Sequence, residues 1–120
     1  MDITEINSIL ERAPAKIAYY CEKENNAYSQ MLNAHEEYKR RRAKQYLEIK
    51  IKAENSIKDI EYMLDCDNVL SGFKDAEIKF EIDYRSWRQK KEKAKDFFEA
   101  AKNLGYNLRK NIDGLSDTIK

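Results

Sequence analysis

A long apolar stripe in the second half of the sequence constrains the fold most. Steps of alternately three and four residues from Leu70 to Ile112 meet mostly apolar or aromatic side chains. This spacing is typical of a coiled-coil seam. The stripe consists of Leu70, Phe73, Glu77, Phe80, Tyr84, Trp87, Lys91, Ala94, Phe98, Ala101, Gly105, Leu108 and Ile112. With only 3 Gly and 1 Pro in 120 residues, the chain lacks the frequent turns that a β-sandwich or barrel needs.

A weaker stripe with similar spacing occupies the first half of the sequence. It consists of Ile17, Cys21, Tyr28, Met31, His35, Tyr38, Tyr46, Ile49 and Ala53. Two helices that each have one apolar face are expected to pack on each other. We therefore predict an all-α fold, a long antiparallel helical hairpin resembling a coiled coil, with short extra helices. Because a two-helix hairpin leaves apolar surface uncovered, we also expect a homo-oligomer.

Capping and breaking residues predict where the helices of this single domain begin and end. Asp2 and Ser56 have the spacing of N-caps, and either Asp67 or Asn68 caps the last helix. Pro14 suits the first position of the long helix. The predicted elements are a short helix 3–12, a long helix 15–54, a short helix 57–64, a long helix 69–112 that Asp113-Gly114 ends, and a tail 113–120.

Charge is distributed unevenly, although the net charge is only +1. The segment 39–52 has a net charge of +6 and the segment 85–95 a net charge of +5, whereas 58–83 has a net charge of −5. A hairpin that folds about its third helix is expected to place Glu54 near Val69, and Lys39 near Asp83 or Tyr84. The two basic segments would then form one basic belt, and the turn end would be acidic.

A localised group of Lys and Arg residues favours binding to a phosphate backbone. Aromatic residues interleaved with cations are typical of proteins that bind single strands with little sequence preference. The candidate DNA-binding residues are Lys39, Arg40, Arg41, Arg42, Lys44, Tyr46, Lys50, Lys52, Arg85, Arg88, Lys91 and Lys95. The competing interpretation is a solvated helix face whose cations pair with acids one turn away. Tyr46, Tyr84 and Trp87 are then core residues rather than stacking platforms.

The sequence offers no motif for catalysis. His35, the sole histidine, falls on the weaker stripe, where we expect it to be packed or hydrogen-bonded. Cys21 and Cys66 lack the spacing of a zinc site and are expected to be buried thiols. No glycine-rich loop or nucleophile motif is present. We expect a non-enzyme without cofactor or metal and, in the absence of a signal peptide or apolar span, a cytoplasmic protein that does not contact membranes.

Small residues near the C-terminus permit a close helix–helix contact. Ala101 and Gly105 are four residues apart on the stripe, and Phe98, Leu108 and Ile112 extend the same face. These five residues are the candidate oligomerisation element. Packing against residues 17–31 of the same chain is the alternative.

Four segments of the sequence form a further pattern. They are the A-Y-x-x-M-L-x-x-H block at 27–35, the basic stretch 39–52 with Tyr46-Leu47-Glu48, the Tyr84-x-x-Trp87 segment, and Phe97-Phe98 followed by E-A-A-K-N-L-G-Y-N-L-R at 99–109. Together these segments resemble the UvsY-type recombination mediators of tailed phages. The resemblance implies a homo-oligomer, ring-like in this family, that binds single-stranded DNA in DNA recombination and repair. It also implies contacts with a recombinase and with the single-strand-binding protein. The acidic segment 58–83 departs from the family pattern.

Two hypotheses of function follow. The first is a phage-type accessory protein, acting in the host cell cytoplasm, that organises single-stranded DNA and helps to load a recombinase. The alternative is a small coiled-coil inhibitor or adaptor that binds a host or phage protein, such as a nuclease or a CRISPR effector, through its acidic turn region. A purely structural spacer is a third interpretation.

Overall fold

The described part of the chain forms three helices. The computed structural model describes the backbone of residues 1–52 and 56–119, and the side chains of residues 1–52 and 56–111. Helix α1 (Ile3–Lys52), helix α2 (Ile57–Asp65) and helix α3 (Asn68–Ile119) account for nearly all of these residues, and none of them is in a strand. The predicted all-α class is confirmed. The predicted end of the long helix at Glu54 lies outside the described residues.

The described helices are distributed over two compact units. The first unit is Met1–Glu24 with Trp87–Lys120, and the second unit is Asn25–Ser86. Helices α1 and α3 contribute to both units, whereas α2 belongs to the second. Within each unit, the further along α1 a residue lies, the earlier in α3 is the residue that it contacts. The two helices therefore run antiparallel, as predicted.

Side chains cap the helices at the predicted residues. The carboxylate of Asp2 accepts a hydrogen bond from the amide of Glu5 at 2.8 Å. The hydroxyl of Ser56 accepts one from the amide of Asp59 at 3.2 Å. Asp67, not Asn68, caps α3, because its carboxylate accepts from the amides two and three residues further on, at 2.9 and 3.0 Å. Each cap satisfies amides that have no acceptor within the helix.

Two predicted helix boundaries are wrong. Helix α1 continues through Pro14 without the predicted break between residues 12 and 15. An internal proline costs one helical hydrogen bond, and burial of Ile6 and Ala13 on the N-terminal side of Pro14 stabilises the continuous helix. Helix α3 also continues, through Gly114 to Ile119. No described glycine adopts a positive φ, so a left-handed helix stop is absent from the described residues.

The predicted seam of α3 is confirmed position by position. Every predicted seam residue from Leu70 to Leu108 is buried or half-buried, and the Ile112 side chain lies outside the described residues. The α1 stripe was only partly predicted. Its buried residues include Ile6, Glu24 and Ala27, which the apolar stripe omitted.

The core of the second unit forms where α2 packs between the two long helices. Ile60 and Leu64 of α2 are buried with Leu70 of α3, and Tyr46 and Ile49 of α1 pack against them. The last turns of α1 therefore contact α2. In this arrangement α2 buries its apolar residues, which its sequence places on one side of the helix.

This packing shifts the register of the hairpin from the predicted one. Tyr84 packs on Tyr28 with ring centroids 5.2 Å apart, and Nδ1 of His35 lies 2.7 Å from a carboxylate oxygen of Glu77. The predicted neighbour of Tyr84, Lys39, therefore lies further along α1. The prediction was wrong because it paired the end of α1 with α3, whereas α2 occupies that position. The expectation that His35 is hydrogen-bonded on the stripe is confirmed.

The core of the first unit contains the small residues that were candidates for oligomerisation. Ile6, Ala13, Ala101 and Gly105 are buried in one chain. A Cβ atom on Gly105 would lie 3.1 Å from Cγ2 of Ile6. Ala101 and Gly105 thus pack within the chain, as the alternative interpretation held, but Gly105 contacts Ile6 rather than residues 17–31. Phe98 and Leu108 are half-buried on the same seam.

Both cysteines are free thiols. Cys21 is half-buried, but Cys66 is exposed, contrary to the prediction, because it is the C-cap residue of α2. Its amide donates to carbonyls of that helix. Position at a helix end, rather than apolar character, determines its exposure.

Replacing Gly72 and Gly105, two of the three glycines of α3, by alanine should give different results. Gly72→Ala should raise the free energy of unfolding by about 0.5–1 kcal/mol, because nothing lies within 4 Å of the new methyl group and alanine favours the helix. Gly105→Ala should stabilise less, or destabilise, because its methyl group meets fully buried Ile6. Urea unfolding measures both changes. Equal increases for the two variants would contradict the close contact at Gly105.

Candidate nucleic-acid interface

The arginines at the start of the first basic segment are largely neutralised within the second unit. Glu37 pairs with Arg40 and, at 2.7 Å, with Nε of Arg41. The hydrogen bond from Arg41 and the positive charge of both arginines hold the pKa of Glu37 below its ordinary value. The Arg41 guanidinium also lies 4.3 Å from the centre of the Phe73 ring. These two arginines have the one-turn pairing of a solvated helix face.

Other candidate DNA-binding residues of the second unit also contact residues of the same chain. Arg42 lies 3.3 Å from Asp65 of α2, and Arg85 lies 2.7 Å from Glu81 one turn earlier. Tyr46 packs against the core cluster, so it acts as a core residue rather than as a free stacking platform. The lysines of the segment 39–52 have no ion pair among the described residues. They are Lys39, Lys44, Lys50 and Lys52.

Lys91, the predicted DNA contact on the α3 seam, forms a buried ion pair in the first unit. Its ammonium lies 2.5 Å from a carboxylate oxygen of Glu24, and the two side chains are only 15% and 12% exposed. The hydrogen bond with Glu24 raises the pKa of Lys91 above its ordinary value. Lys91 is therefore unavailable to a polyanion. Arg88 and Lys95, its predicted companions, are exposed and have no ion pair among the described residues.

Three aromatic rings cluster beside this ion pair. Tyr20 lies 6.2 Å from Trp87 and 5.7 Å from Tyr19, and Tyr19 meets Trp87 edge-on at 6.3 Å between ring centroids. Lysines lie over each ring. They are Lys16 over Tyr20 at 5.9 Å, Lys23 over Tyr19 at 5.5 Å and Lys90 over Trp87 at 4.4 Å. Trp87 is thus a packed residue, as one interpretation expected, but within a cluster that interleaves rings and cations.

A groove of about 460 Å³ runs beside this cluster. Its apolar surface comes from Ile9 and Ala13 of α1, and from Ala94 and Phe97 of α3, with Tyr20 at one end. Ala13 is buried and most of the others are half-buried, but Phe97 is 55% exposed. This volume lies in the range of small-ligand clefts.

Four exposed cations flank the groove. Arg12 and Lys16 belong to α1, and Lys90 and Lys93 to α3. None of the four has an ion pair among the residues whose side chains are described, and no acidic residue lines the groove. We call these four residues the rim cations. They form a local concentration of unpaired positive charge around an apolar surface.

The candidate DNA-binding residues and the groove lining have no residue in common, although Lys90 and Lys93 lie within the basic segment 85–95. The predicted belt joined the segments 39–52 and 85–95 through the register that the structure corrects. The first of these segments belongs to the second unit, and most of the other belongs to the first unit. Sequence reasoning missed Arg12 and Lys16, because they lie outside the dense basic runs. One available signal was the spacing of Lys16 and Tyr20, which places a cation and a ring on one helix face.

Comparisons with known proteins identify no relative. No family model, curated protein or solved structure matches this chain. Separately, the helices in the described residues contain no apolar stretch that would cross a lipid bilayer.

Breaking the Glu24–Lys91 pair should destabilise the protein strongly. Lys91→Ala should lower the free energy of unfolding by about 3–5 kcal/mol, because it leaves a buried carboxylate without its cation. Replacing both residues by leucine should be nearly neutral or stabilising, because no charge then remains buried. Lys95→Ala, which removes an exposed lysine, serves as the control in urea unfolding. An equal loss in Lys91→Ala and in the double variant would contradict this account.

The same pair should make stability depend on alkaline pH. The pKa of Lys91 is raised above the ordinary value of 10.5, so the pair's full contribution is present below pH 10.5 and is lost as the pH rises through the folded-state pKa. The free energy of unfolding of the native chain should therefore fall relative to that of the double leucine variant above about pH 10.5. Parallel curves for the two proteins would contradict the shift.

Proposed function

We propose that this chain is a non-enzymatic, homo-oligomeric protein that binds single-stranded DNA and assists the loading of a recombinase in homologous recombination. The observation that carries the DNA-binding part is the set of rim cations, Arg12, Lys16, Lys90 and Lys93, which flank a groove without acidic residues. Each cation that meets a phosphate releases a condensed counterion, which provides affinity without sequence preference.

Unpaired cations support this role better than the paired arginines do. Arg40, Arg41, Arg42 and Arg85 already contact carboxylates of the same chain. A phosphate would have to compete with those carboxylates, whereas no carboxylate pairs with the rim cations among the described residues, and only Lys16 and Lys90 contact rings. The unpaired lysines of 39–52 supply a second basic surface in the other unit, to which a long strand also binds in this proposal.

The recombination part of the proposal is supported by the sequence resemblance to UvsY-type mediators. The segments of this chain that carry the resemblance include 27–35 and 99–109, which lie in different units. In this role the protein would bind single-stranded DNA beside the single-strand-binding protein and help the recombinase to displace it. Self-association would place several basic surfaces along one strand.

Salt dependence of binding to an oligo-dT strand tests the proposal. Fluorescence anisotropy should show a steep loss of affinity as salt rises. Replacing the four rim cations by glutamine should weaken binding and reduce the slope of log K against log salt by about 3 if each cation contacts one phosphate. Absence of binding by the native chain at low salt would refute the proposal.

A charge-matched variant provides the control. Replacing Arg40, Arg41, Arg42 and Arg85 by glutamine removes the same formal charge from residues that are already paired. This variant should retain most of the affinity and of the salt slope. If it loses more affinity than the rim variant, the paired arginines rather than the rim cations bind the strand.

A second candidate function, an inhibitor or adaptor of another protein, is favoured by the surface of α2. Asp59, Glu61 and Asp65 are exposed on this helix, and Tyr62 beside them is 72% exposed. Acidic residues around an exposed ring suit a basic protein surface. Co-purification of a protein partner that Tyr62→Ala abolishes, together with indifference to DNA, would favour this candidate over the first.

A further inference from the structure

We infer that the groove of the first unit is a base-binding site, in which an unstacked nucleobase contacts the apolar surface while the strand's phosphates contact the rim cations. This inference rests on the proposed function and deepens it. It assigns the groove a ligand that has both a flat apolar face and flanking negative charges. Single-stranded DNA has this combination, whereas a plain polyanion has only the charges.

The exposed ring of Phe97 is the first observation. It lies on the groove with 55% of its surface exposed. An aromatic ring at the edge of an apolar groove presents a face on which a base can stack, and all four bases have such a face. Tyr20, at one end of the groove, packs against Tyr19 and Trp87, so its ring already has aromatic neighbours before the ligand arrives.

The arrangement of the rim cations is the second observation. Arg12 and Lys16 are one helical turn apart on α1, and Lys90 and Lys93 are one turn apart on α3. Cations therefore lie on both sides of the groove, and Lys16 also lies over the Tyr20 ring. A strand that places a base in the groove would have cations of α1 on one side and of α3 on the other.

The same charges argue against a second copy of this groove as the occupant. In a twofold contact, the rim cations of one copy would face the identical cations of the other. Like charges directly opposed across an interface disfavour association. The occupant is therefore expected to be negatively charged.

The test compares two strands with equal numbers of phosphates, oligo-dT and an abasic strand of the same length. The native chain should bind oligo-dT about tenfold more tightly at the same salt concentration, a ratio in the range that one stacked base provides. Phe97→Ala should remove most of this preference and leave the affinity for the abasic strand unchanged, and Phe97→Trp should restore it. Because Phe97 is exposed, its replacement should leave the helical circular dichroism unchanged.

Tyr106→Ala is the matched control, because Tyr106 is an exposed aromatic residue of α3 that does not line the groove. It should leave the preference for oligo-dT intact. Equal affinity of the native chain for the two strands would overturn the inference while leaving DNA binding through the cations standing. Equal weakening of both strands by Phe97→Ala would also overturn it. The inference would likewise be overturned if Phe97→Ala dissociated an oligomer, as measured by light scattering, without changing the preference for oligo-dT over the abasic strand.

Discussion

The antiparallel packing of α1 on α3 depends on polar residues of the seam that meet their partners across it. In the first unit, Glu24 and Lys91 both occupy seam positions and meet across it. In the second unit, His35 and Glu77 do the same. A seam of apolar residues alone tolerates shifted registers, because one aliphatic contact resembles the next. A buried charge that must meet its partner disfavours every register in which the two are apart.

How well the sequence predicts the fold differs between the two long helices for this reason. The stripe of α3 has few polar interruptions, so the spacing of its apolar residues is enough to identify the buried positions. The stripe of α1 includes Glu24 and half-buried Arg42, which a search for apolar residues rejects. Their burial depends on Lys91 and Asp65. These partners are distant in sequence, and periodicity within one helix contains no information about them.

The register and the groove could not be predicted from the sequence for a related reason. Helix α2 has a clear amphipathic pattern and a confirmed cap at Ser56, yet nothing local indicates that it packs on the end of α1. That packing determines which residues of the long helices meet. The groove combines Arg12 and Lys16 with Lys90, Lys93 and Phe97. Only the antiparallel contact in the first unit brings these two short segments together.

A net charge of +1 is compatible with a polyanion-binding surface, because the partners of the charges matter more than their sum. The acidic residues of α2 belong to the second unit, whereas the groove of the first unit is lined by four cations and no acid. The arginine-rich run 40–42 is basic in sequence, but each of its arginines pairs with Glu37 or Asp65 in the folded chain. Unpaired cations around an apolar surface, rather than the density of basic residues along the chain, therefore identify the stronger candidate surface.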